Sequence, residues 1–160
     1  MTVSVGDKIP DVEVRTMTPE GPKPVRTGEV LGQGKVVLFA VPGAFTPTCS
    51  DHHLPGFVVR AEDLAAKGVD KVFCIAVNDA FVMGAWGADR GVGDSVTLLA
   101  DGNGEFTAAM GLELDGSGFG LGIRSQRYAA IIENGVVTDL AVEAGGGLEV
   151  SSADAVLAKL

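Results

Sequence analysis

The residues in this chain that are best suited to chemistry surround Cys49, in a loop rich in proline and threonine. The loop follows a continuous apolar run, and a segment with helical spacing begins at Pro47. At the start of a helix, free backbone N–H groups and the helix dipole favour a thiolate over a thiol. A polar loop is also a poor place for a cysteine that only packs in a core. Cys49 is therefore predicted to be a reactive nucleophile.

Two neighbours in the same loop could assist this cysteine. Thr46 lies three residues before Cys49, and its hydroxyl can turn toward the sulfur. Pro42 and Pro47 stiffen the loop that carries both residues. Simpler roles stay open, because Thr46 could merely cap the helix and Pro42 could merely end the preceding strand. The loop lies where open α/β sheets place their ligand sites, beyond the C-terminal end of a buried strand.

The second cysteine, Cys74, lies in the middle of another apolar run, where a thiol is expected to be packed, neutral and inert. A zinc site is an alternative interpretation, because Cys49, His52 and His53 share a helix face at spacings i, i+3 and i+4. Cys74 would then be the fourth ligand. The chain lacks the second clustered pair of typical zinc sites, so we expect no metal. It also lacks the Cys-x-x-Cys pair of a disulfide exchanger.

Hydrophobic periodicity predicts the strands and helices that must position these residues. Apolar, β-branched runs predict buried strands, and amphipathic segments between them predict helices, an order that indicates parallel pairing. Pro55 is expected to kink the first helix, and Asn78 with Asp79 to cap the second. The predicted strands are residues 35–41, 71–77 and 96–100, and the predicted helices are residues 47–67, 80–90 and 105–110.

The last part of the chain has a different pattern. Residues 127–132 and 136–142 flank Asn134-Gly135, the strongest short signal for a β-hairpin. Ser151 and Ser152 are candidate caps for a final helix that ends at residue 160. The sequence therefore predicts an α/β protein with a central mixed β-sheet, helices on both faces and a late antiparallel hairpin. This order resembles the thioredoxin-like fold.

Composition limits the partners of the protein. The chain has 160 residues, which suits one domain over residues 1–160, and its net charge of -9 disfavours nucleic acid and anionic membranes. The longest apolar run, residues 36–42, is far shorter than the roughly 20 residues of a transmembrane helix. The N-terminus does not read as a secretory signal, so we expect a cytoplasmic protein. The glycine-rich stretch 116–122 contains no phosphate-binding motif, and no cofactor is expected.

Pro42, Thr46 and Cys49 fill the pattern Pro-x-x-x-Thr-x-x-Cys, which resembles the signature of the peroxiredoxins. The surrounding residues 41–50 and 53–57 are similar to the peroxiredoxin-five (type II) subfamily in particular. The likeness covers nearly the whole chain and includes residues 5–7, 77–82, Trp86 and 99–101.

The resemblance implies a thiol peroxidase that reduces hydrogen peroxide and alkyl hydroperoxides through a sulfenic acid on Cys49. Thr46 would bind the peroxide, and Pro42 would shield the sulfenic acid from water. The family places an arginine at the start of the late hairpin strand, which matches Arg127, and Arg124 is the alternative. Arg127 could instead form only a surface ion pair. The expected substrate-binding residues are Thr46, Cys49, Arg127, Gly43 and Phe45.

The resemblance also indicates how the sulfenic acid is reduced. Members that form an internal disulfide carry a resolving cysteine in a late loop that resembles residues 146–151, and this chain has Val150 at that place. We therefore expect an external thiol, from glutathione, glutaredoxin or thioredoxin, to reduce Cys49 directly.

Two further expectations concern partner proteins. The resemblance implies a homodimer, with Phe45, Phe81 and Trp86 as candidate contact residues that could equally belong to the core. The competing functional hypothesis is a non-enzymatic redox sensor or holdase, in which oxidation of Cys49 signals to a partner protein.

Overall fold

A seven-stranded mixed sheet forms the centre of the protein. The computed structural model describes residues 2–145 and 147–160. The strands are β1 (Glu13–Thr18), β2 (Gly21–Arg26), β3 (Lys35–Ala40), β4 (Lys71–Ala76), β5 (Thr97–Ala100), β6 (Glu113–Asp115), β7 (Ile123–Ser125), β8 (Tyr128–Glu133) and β9 (Val136–Val142). The α-helices are α1 (Thr27–Val30), α2 (Leu54–Val59), α3 (Ala61–Ala66), α4 (Ala80–Asp89), α5 (Glu105–Met110) and α6 (Ala153–Leu157).

The middle of the sheet is parallel, as the alternation of strands and helices predicts, and the strand order is β2-β1-β5-β4-β3-β8-β9. β3 pairs with β4 and β4 with β5 in parallel, whereas β8 pairs antiparallel with β3 and β1 antiparallel with β5. Each predicted central strand is present within one or two residues of its expected bounds. The fold is thus the expected thioredoxin-like arrangement, with antiparallel strands added at both edges.

Two hydrophobic cores lie on the two faces of the sheet. Along β3, Val37 and Phe39 point into one core, and Val36, Leu38 and Ala40 point into the other. This alternation follows from the two-residue period of a strand. Residues of α2, α3, α4 and α6 cover the first core, and those of α1 and α5 cover the second. Both faces of the parallel strands are buried for this reason, and their sequence is continuously apolar.

The late hairpin forms as predicted. Asn134 and Gly135 make its turn with φ values of 50 and 83, the left-handed conformation that a two-residue hairpin turn needs. β8 and β9 pair on either side, with an irregularity in register between Ile131 and Ile132. The turn residues therefore determine where β8 ends and β9, the edge strand, begins.

The long first helix predicted over residues 47–67 is wrong in its continuity. Cys49–His53 form a π-helical turn, α2 follows it directly, and Arg60 separates α2 from α3. In the π-helical turn, the Leu54 N–H donates to the Cys49 carbonyl, one residue farther back than in an α-helix. Pro55 lies within the first turn of α2, two residues after the π-helical turn ends. The irregular turn lies before the proline.

Other elements were assigned only in part from the sequence. The cap of α4 is correct, since the Asp79 carboxylate accepts from the Val82 N–H, but Ser152 rather than Ser151 caps α6. The hairpins β1–β2 and β6–β7 were not predicted. Among the described residues, no helix has the length and apolar character needed to cross a membrane.

The hairpin turn provides a direct test of this fold. Replacing Gly135 with Ala forces a Cβ into the left-handed region, and we expect the free energy of unfolding to fall by about 1 kcal/mol. Gly118→Ala is the control, because a Cβ there meets no atom within 4 Å. Urea unfolding of both variants measures the difference. Equal stability of the two variants would show that the Asn134-Gly135 turn is not under this constraint.

Candidate active site

Cys49 lies in the π-helical turn that follows the loop after β3, and none of its surface is exposed. Thr46 in the loop lies three residues before Cys49. The Thr46 carbonyl accepts from the N–H of Ser50, the residue after Cys49, at 2.9 Å. The Ser50 hydroxyl accepts from the Trp86 indole N–H at 2.9 Å, which ties this turn to α4. The position of Cys49 is thus determined from two sides, by the loop and by the core.

Arg127 contacts the sulfur directly. Its Nη2 lies 3.1 Å from Cys49 Sγ, and only 6% of the residue is exposed. Arginine is protonated throughout the useful pH range, so this contact places a fixed positive charge beside the sulfur. A cation at hydrogen-bond distance stabilises the thiolate, which is the nucleophilic form.

The pairing of two strands explains how residues so far apart in sequence meet. Arg127 directly precedes β8, and the next residue, Tyr128, pairs with Ala40 at the end of β3. The loop that carries Cys49 leaves the sheet after Ala40. Antiparallel pairing of β3 and β8 in this register therefore brings the arginine to the cysteine.

His53 holds the other end of the guanidinium. Arg127 Nη1 donates to His53 Nδ1 at 2.8 Å, and His53 Nε2 lies 2.8 Å from the Ser151 carbonyl oxygen. An arginine only donates and a carbonyl only accepts, so the proton of the neutral ring is on Nε2. The ring also packs beside Phe39 and Phe57, with centroid distances of 4.8 and 5.7 Å.

The surroundings of His53 keep it neutral. Burial, helped by the nearby charge of Arg127, lowers the pKa of its imidazole to about 3, against the hydrogen bond to Ser151, which raises it. A neutral ring is what the geometry requires, because a protonated Nδ1 would face the Arg127 cation. His53 therefore acts here as an acceptor that orients Arg127, without adding charge.

One guanidinium nitrogen of Arg127 has no hydrogen-bond partner among the described residues. Its Nε is the one buried side-chain nitrogen or oxygen that lacks a hydrogen bond in the described part of the chain. Buried donors are normally satisfied, and one left free beside a reactive sulfur is suited to a polar ligand or a water molecule.

Glu143 anchors the turn that supports His53. Its Oε2 accepts from the backbone N–H groups of Glu149, Val150 and Ser151 at 2.8 to 3.0 Å, and from the Ser151 hydroxyl at 2.6 Å. Burial would raise the pKa of this carboxyl, but the bonds from Ser151 and from the two preceding N–H groups hold it below its usual value. The carboxylate thus stays ionised while it organises the turn.

The loop before Cys49 is shaped by close contacts. The Thr46 hydroxyl donates to the Gly43 carbonyl at 2.7 Å, and Arg124 Nη1 donates to the Pro42 carbonyl at 3.4 Å. A Cβ on Gly43 would lie 2.8 Å from Arg124 Nη1, so a larger residue here would displace the Arg124 guanidinium. Phe45 has a φ of 65 and is half exposed. The loop is a strained, closely packed turn with its phenyl group toward solvent.

The structure brings together some of the predicted site residues and separates others. Cys49 and Arg127 are in contact, whereas Arg124 binds loop carbonyls. The Thr46 hydroxyl donates to the Gly43 carbonyl, and the Thr46 side chain does not cap the helix. The zinc alternative is not supported, because both ring nitrogens of His53 are already engaged by other groups.

The second cysteine and the late loop lie where the sequence places them. Cys74 is fully buried in β4, between Phe39 and Leu98 on the neighbouring strands, and burial raises the pKa of its thiol well above the usual value. Val150 is 42% exposed. In residues 146–151, Gly146 lies outside the described residues.

The candidate contact residues for a dimer divide into two groups. Phe45 and Phe81 are exposed, at 50% and 68%. Trp86 is fully buried and bound to Ser50, so of its two candidate positions it belongs to the core.

Sequence reasoning did not find the roles of His53, Glu143 and Ser151. The position of His53 on the same helix face as Cys49 was visible, but this pattern also fits a metal ligand. Nothing in the local sequence around Glu143 indicates a contact with residues 149–151.

Comparison with known proteins gives consistent matches. The Redoxin family model matches residues 4–157. Peroxiredoxin-2E-2, chloroplastic, from Oryza sativa subsp. japonica is 52% identical over 164 residues, which cover 99% of this chain and 73% of that protein.

Solved structures agree with the sequence matches. Reduced Prx3 from Vibrio vulnificus in complex with hydrogen peroxide is 51% identical, with a TM-score of 0.94 and 99% of each chain covered. Peroxiredoxin 5 from Alvinella pompejana is 36% identical, with a TM-score of 0.85, covering 98% of this chain and 96% of that one.

The neutral state of His53 predicts a specific pH dependence of stability. Its pKa is about 3 in the folded protein and ordinary in the unfolded chain, so between these values only the unfolded state binds the proton. Above the ordinary pKa of histidine, the ring is neutral in both states and the free energy of unfolding does not depend on it. On acidification from about pH 6 to pH 4, the free energy of unfolding falls by about 1.4 kcal/mol per pH unit.

The variant His53→Asn keeps an acceptor for Arg127 and removes this titration. We expect its unfolding free energy in urea to depend less steeply on pH than that of the wild type over the same range. His52→Asn, at an exposed position of the same turn, is the control and should follow the wild type. Parallel curves for wild type and His53→Asn would contradict the assignment.

Proposed function

Because this chain belongs to the Redoxin family and is a peroxiredoxin of the type II kind, we propose that it reduces peroxides with Cys49 as its single redox-active cysteine. The enzyme is a thiol-dependent peroxidase with an antioxidant function. The observation that carries the assignment of its site is the 3.1 Å contact between Arg127 Nη2 and Cys49 Sγ, made inside the core.

In the first step, the Cys49 thiolate attacks one oxygen of hydrogen peroxide or an alkyl hydroperoxide. The S–O bond forms as the O–O bond breaks, so the sulfur is oxidised to a sulfenic acid and the peroxide is reduced. The leaving oxygen takes a proton and departs as water or an alcohol. Negative charge moves from the sulfur to this oxygen during the step, and donors close to both atoms stabilise it.

Arg127 is positioned to stabilise this negative charge on both atoms. One nitrogen of the guanidinium already holds the sulfur, and Nε has no partner among the described protein groups. The planar fork can therefore bind sulfur and peroxide together without changing its position. His53, which accepts from the third nitrogen, prevents the fork from rotating.

Thr46 would provide the acceptor for the substrate. Its hydroxyl hydrogen is used on the Gly43 carbonyl, so only its lone pairs are available to an incoming group. A peroxide O–H can donate to these lone pairs, which orients the other oxygen toward Cys49. Gly43 and Phe45 complete the loop around this position, and Pro42 limits the access of water to the oxidised sulfur.

The second step needs a thiol from outside the chain. Cys74 is fully buried within β4, with a pKa raised by burial, and Val150 stands where the family resemblance would place a late-loop resolving cysteine. An external thiol attacks the sulfenic sulfur, releases water and forms a mixed disulfide, which a second thiol reduces. Since Cys49 is fully buried, the π-helical turn must open for this exchange.

Several expectations about partners are part of this proposal. Glutathione, glutaredoxin or thioredoxin is the expected donor, and a homodimer that covers the exposed Phe45 and Phe81 is the expected assembly. A cytoplasmic location is consistent with two free thiols, although two of the relatives are chloroplastic. A single redoxin domain is supported by the match over residues 4–157. The sensor hypothesis is not favoured, because the relatives are peroxiredoxins.

Replacement of each cysteine tests the single-cysteine cycle. Cys49→Ser should abolish peroxide consumption, because the nucleophile is lost. Cys74→Ser should keep more than about half of the wild-type turnover with glutathione and glutaredoxin, since a buried strand thiol takes no part in the exchange. Continuous turnover with each donor measures both variants. A Cys74→Ser enzyme that stops after one turnover would contradict the proposal.

A further inference from the structure

We propose that Glu143 is a positioning residue for the peroxidase reaction, which acts on Cys49 through Ser151, His53 and Arg127. This inference rests on the proposed function. The carboxylate touches neither the sulfur nor the space beside it, and it is connected to them by consecutive hydrogen bonds.

The first link is the turn of residues 149–151. All of its backbone N–H groups and the Ser151 hydroxyl donate to the same oxygen of Glu143. Apart from Ser151, this turn has few buried contacts, since Glu149 and Val150 are exposed. The place of the turn therefore depends on the carboxylate more than on apolar packing.

The second link joins this turn to the imidazole. The Ser151 carbonyl is the acceptor for His53 Nε2–H at 2.8 Å. This bond decides which ring nitrogen carries the proton and so leaves the Nδ1 lone pair for Arg127. If the turn moves, the ring loses the partner that determines its tautomer and orientation.

The third link is Arg127 itself, which Glu143 reaches by two routes. One passes through Ser151 and His53 to the guanidinium, and the other is direct, because the Glu143 N–H donates to the Arg127 carbonyl at 2.9 Å. The same residue therefore supports both the backbone and the side chain of the arginine that holds the Cys49 sulfur. Loss of its charge should disturb the sulfur contact without removing any group from it.

The first test is the substitution Glu143→Gln, which keeps the shape and removes the charge. A neutral amide oxygen cannot hold four donors as a carboxylate does, so the rate constant of Cys49 with hydrogen peroxide should fall about tenfold. Glu133→Gln is the matched control, an exposed glutamate at the far end of β8, and it should react at the wild-type rate.

A double substitution separates positioning from a general loss of stability. In His53→Asn, the amide oxygen can still accept from Arg127, but nothing replaces Nε2 toward Ser151. If Glu143 acts through this bond, adding Glu143→Gln to His53→Asn should lower the peroxide rate by less than about twofold. Effects that multiply fully would overturn the proposal.

A spectroscopic readout checks the same link without activity. The chain has only two histidines, so ¹⁵N-histidine labelling resolves His53. The wild type should show the Nε2–H tautomer with slow exchange of that proton, and Glu143→Gln should show faster exchange. Unchanged exchange together with an unchanged peroxide rate would overturn the proposal.

Two other results, a Glu143→Gln variant that does not fold and a wild type without peroxidase activity, need separate interpretation. If Glu143→Gln fails to fold, Ser151→Ala removes one of the four bonds and keeps the carbonyl, and its peroxide rate should fall about threefold. An unchanged rate in Ser151→Ala, with unchanged His53 exchange, would then count against the proposal. Failure of the wild type itself to consume peroxide would refute the proposed function instead.

Discussion

The contact between the Arg127 guanidinium and the Cys49 sulfur, made out of reach of solvent, is the constraint on which the site depends. A buried cation is costly unless it has partners, and here the Cys49 sulfur and a neutral imidazole serve as those partners. A protonated His53 would add a second buried positive charge. The surroundings of the pair therefore have to exclude water and leave the histidine uncharged.

The larger structure satisfies these requirements with few elements. The register of β3 and β8 brings the arginine to the loop that carries Cys49, and the stacked rings of Phe39 and Phe57 bury His53 from one side. The turn anchored by Glu143 approaches it through the Ser151 carbonyl. The π-helical turn leaves Cys49 and His53 on the same side, so one guanidinium reaches both.

Local patterns were sufficient to predict much of this, whereas long-range contacts were not. The apolar runs of β3 and β4, the Asn134-Gly135 turn and the loop motif around Cys49 are each encoded in a few consecutive residues. The π-helical turn was missed because α and π turns share the same side-chain preferences. The role of Glu143 was missed because it depends on a turn brought close by tertiary packing. Arg127 was found from family resemblance, and only the strand register explains its position.

The central claim is that Cys49, held by Arg127, completes its oxidation without a second cysteine of the same chain. Mass spectrometry of the reduced protein, treated with an equimolar amount of hydrogen peroxide in the presence of dimedone, tests this most directly. The predicted result is a dimedone adduct on Cys49 and a free thiol on Cys74. A disulfide between Cys49 and Cys74, formed in place of the adduct, would contradict the claim.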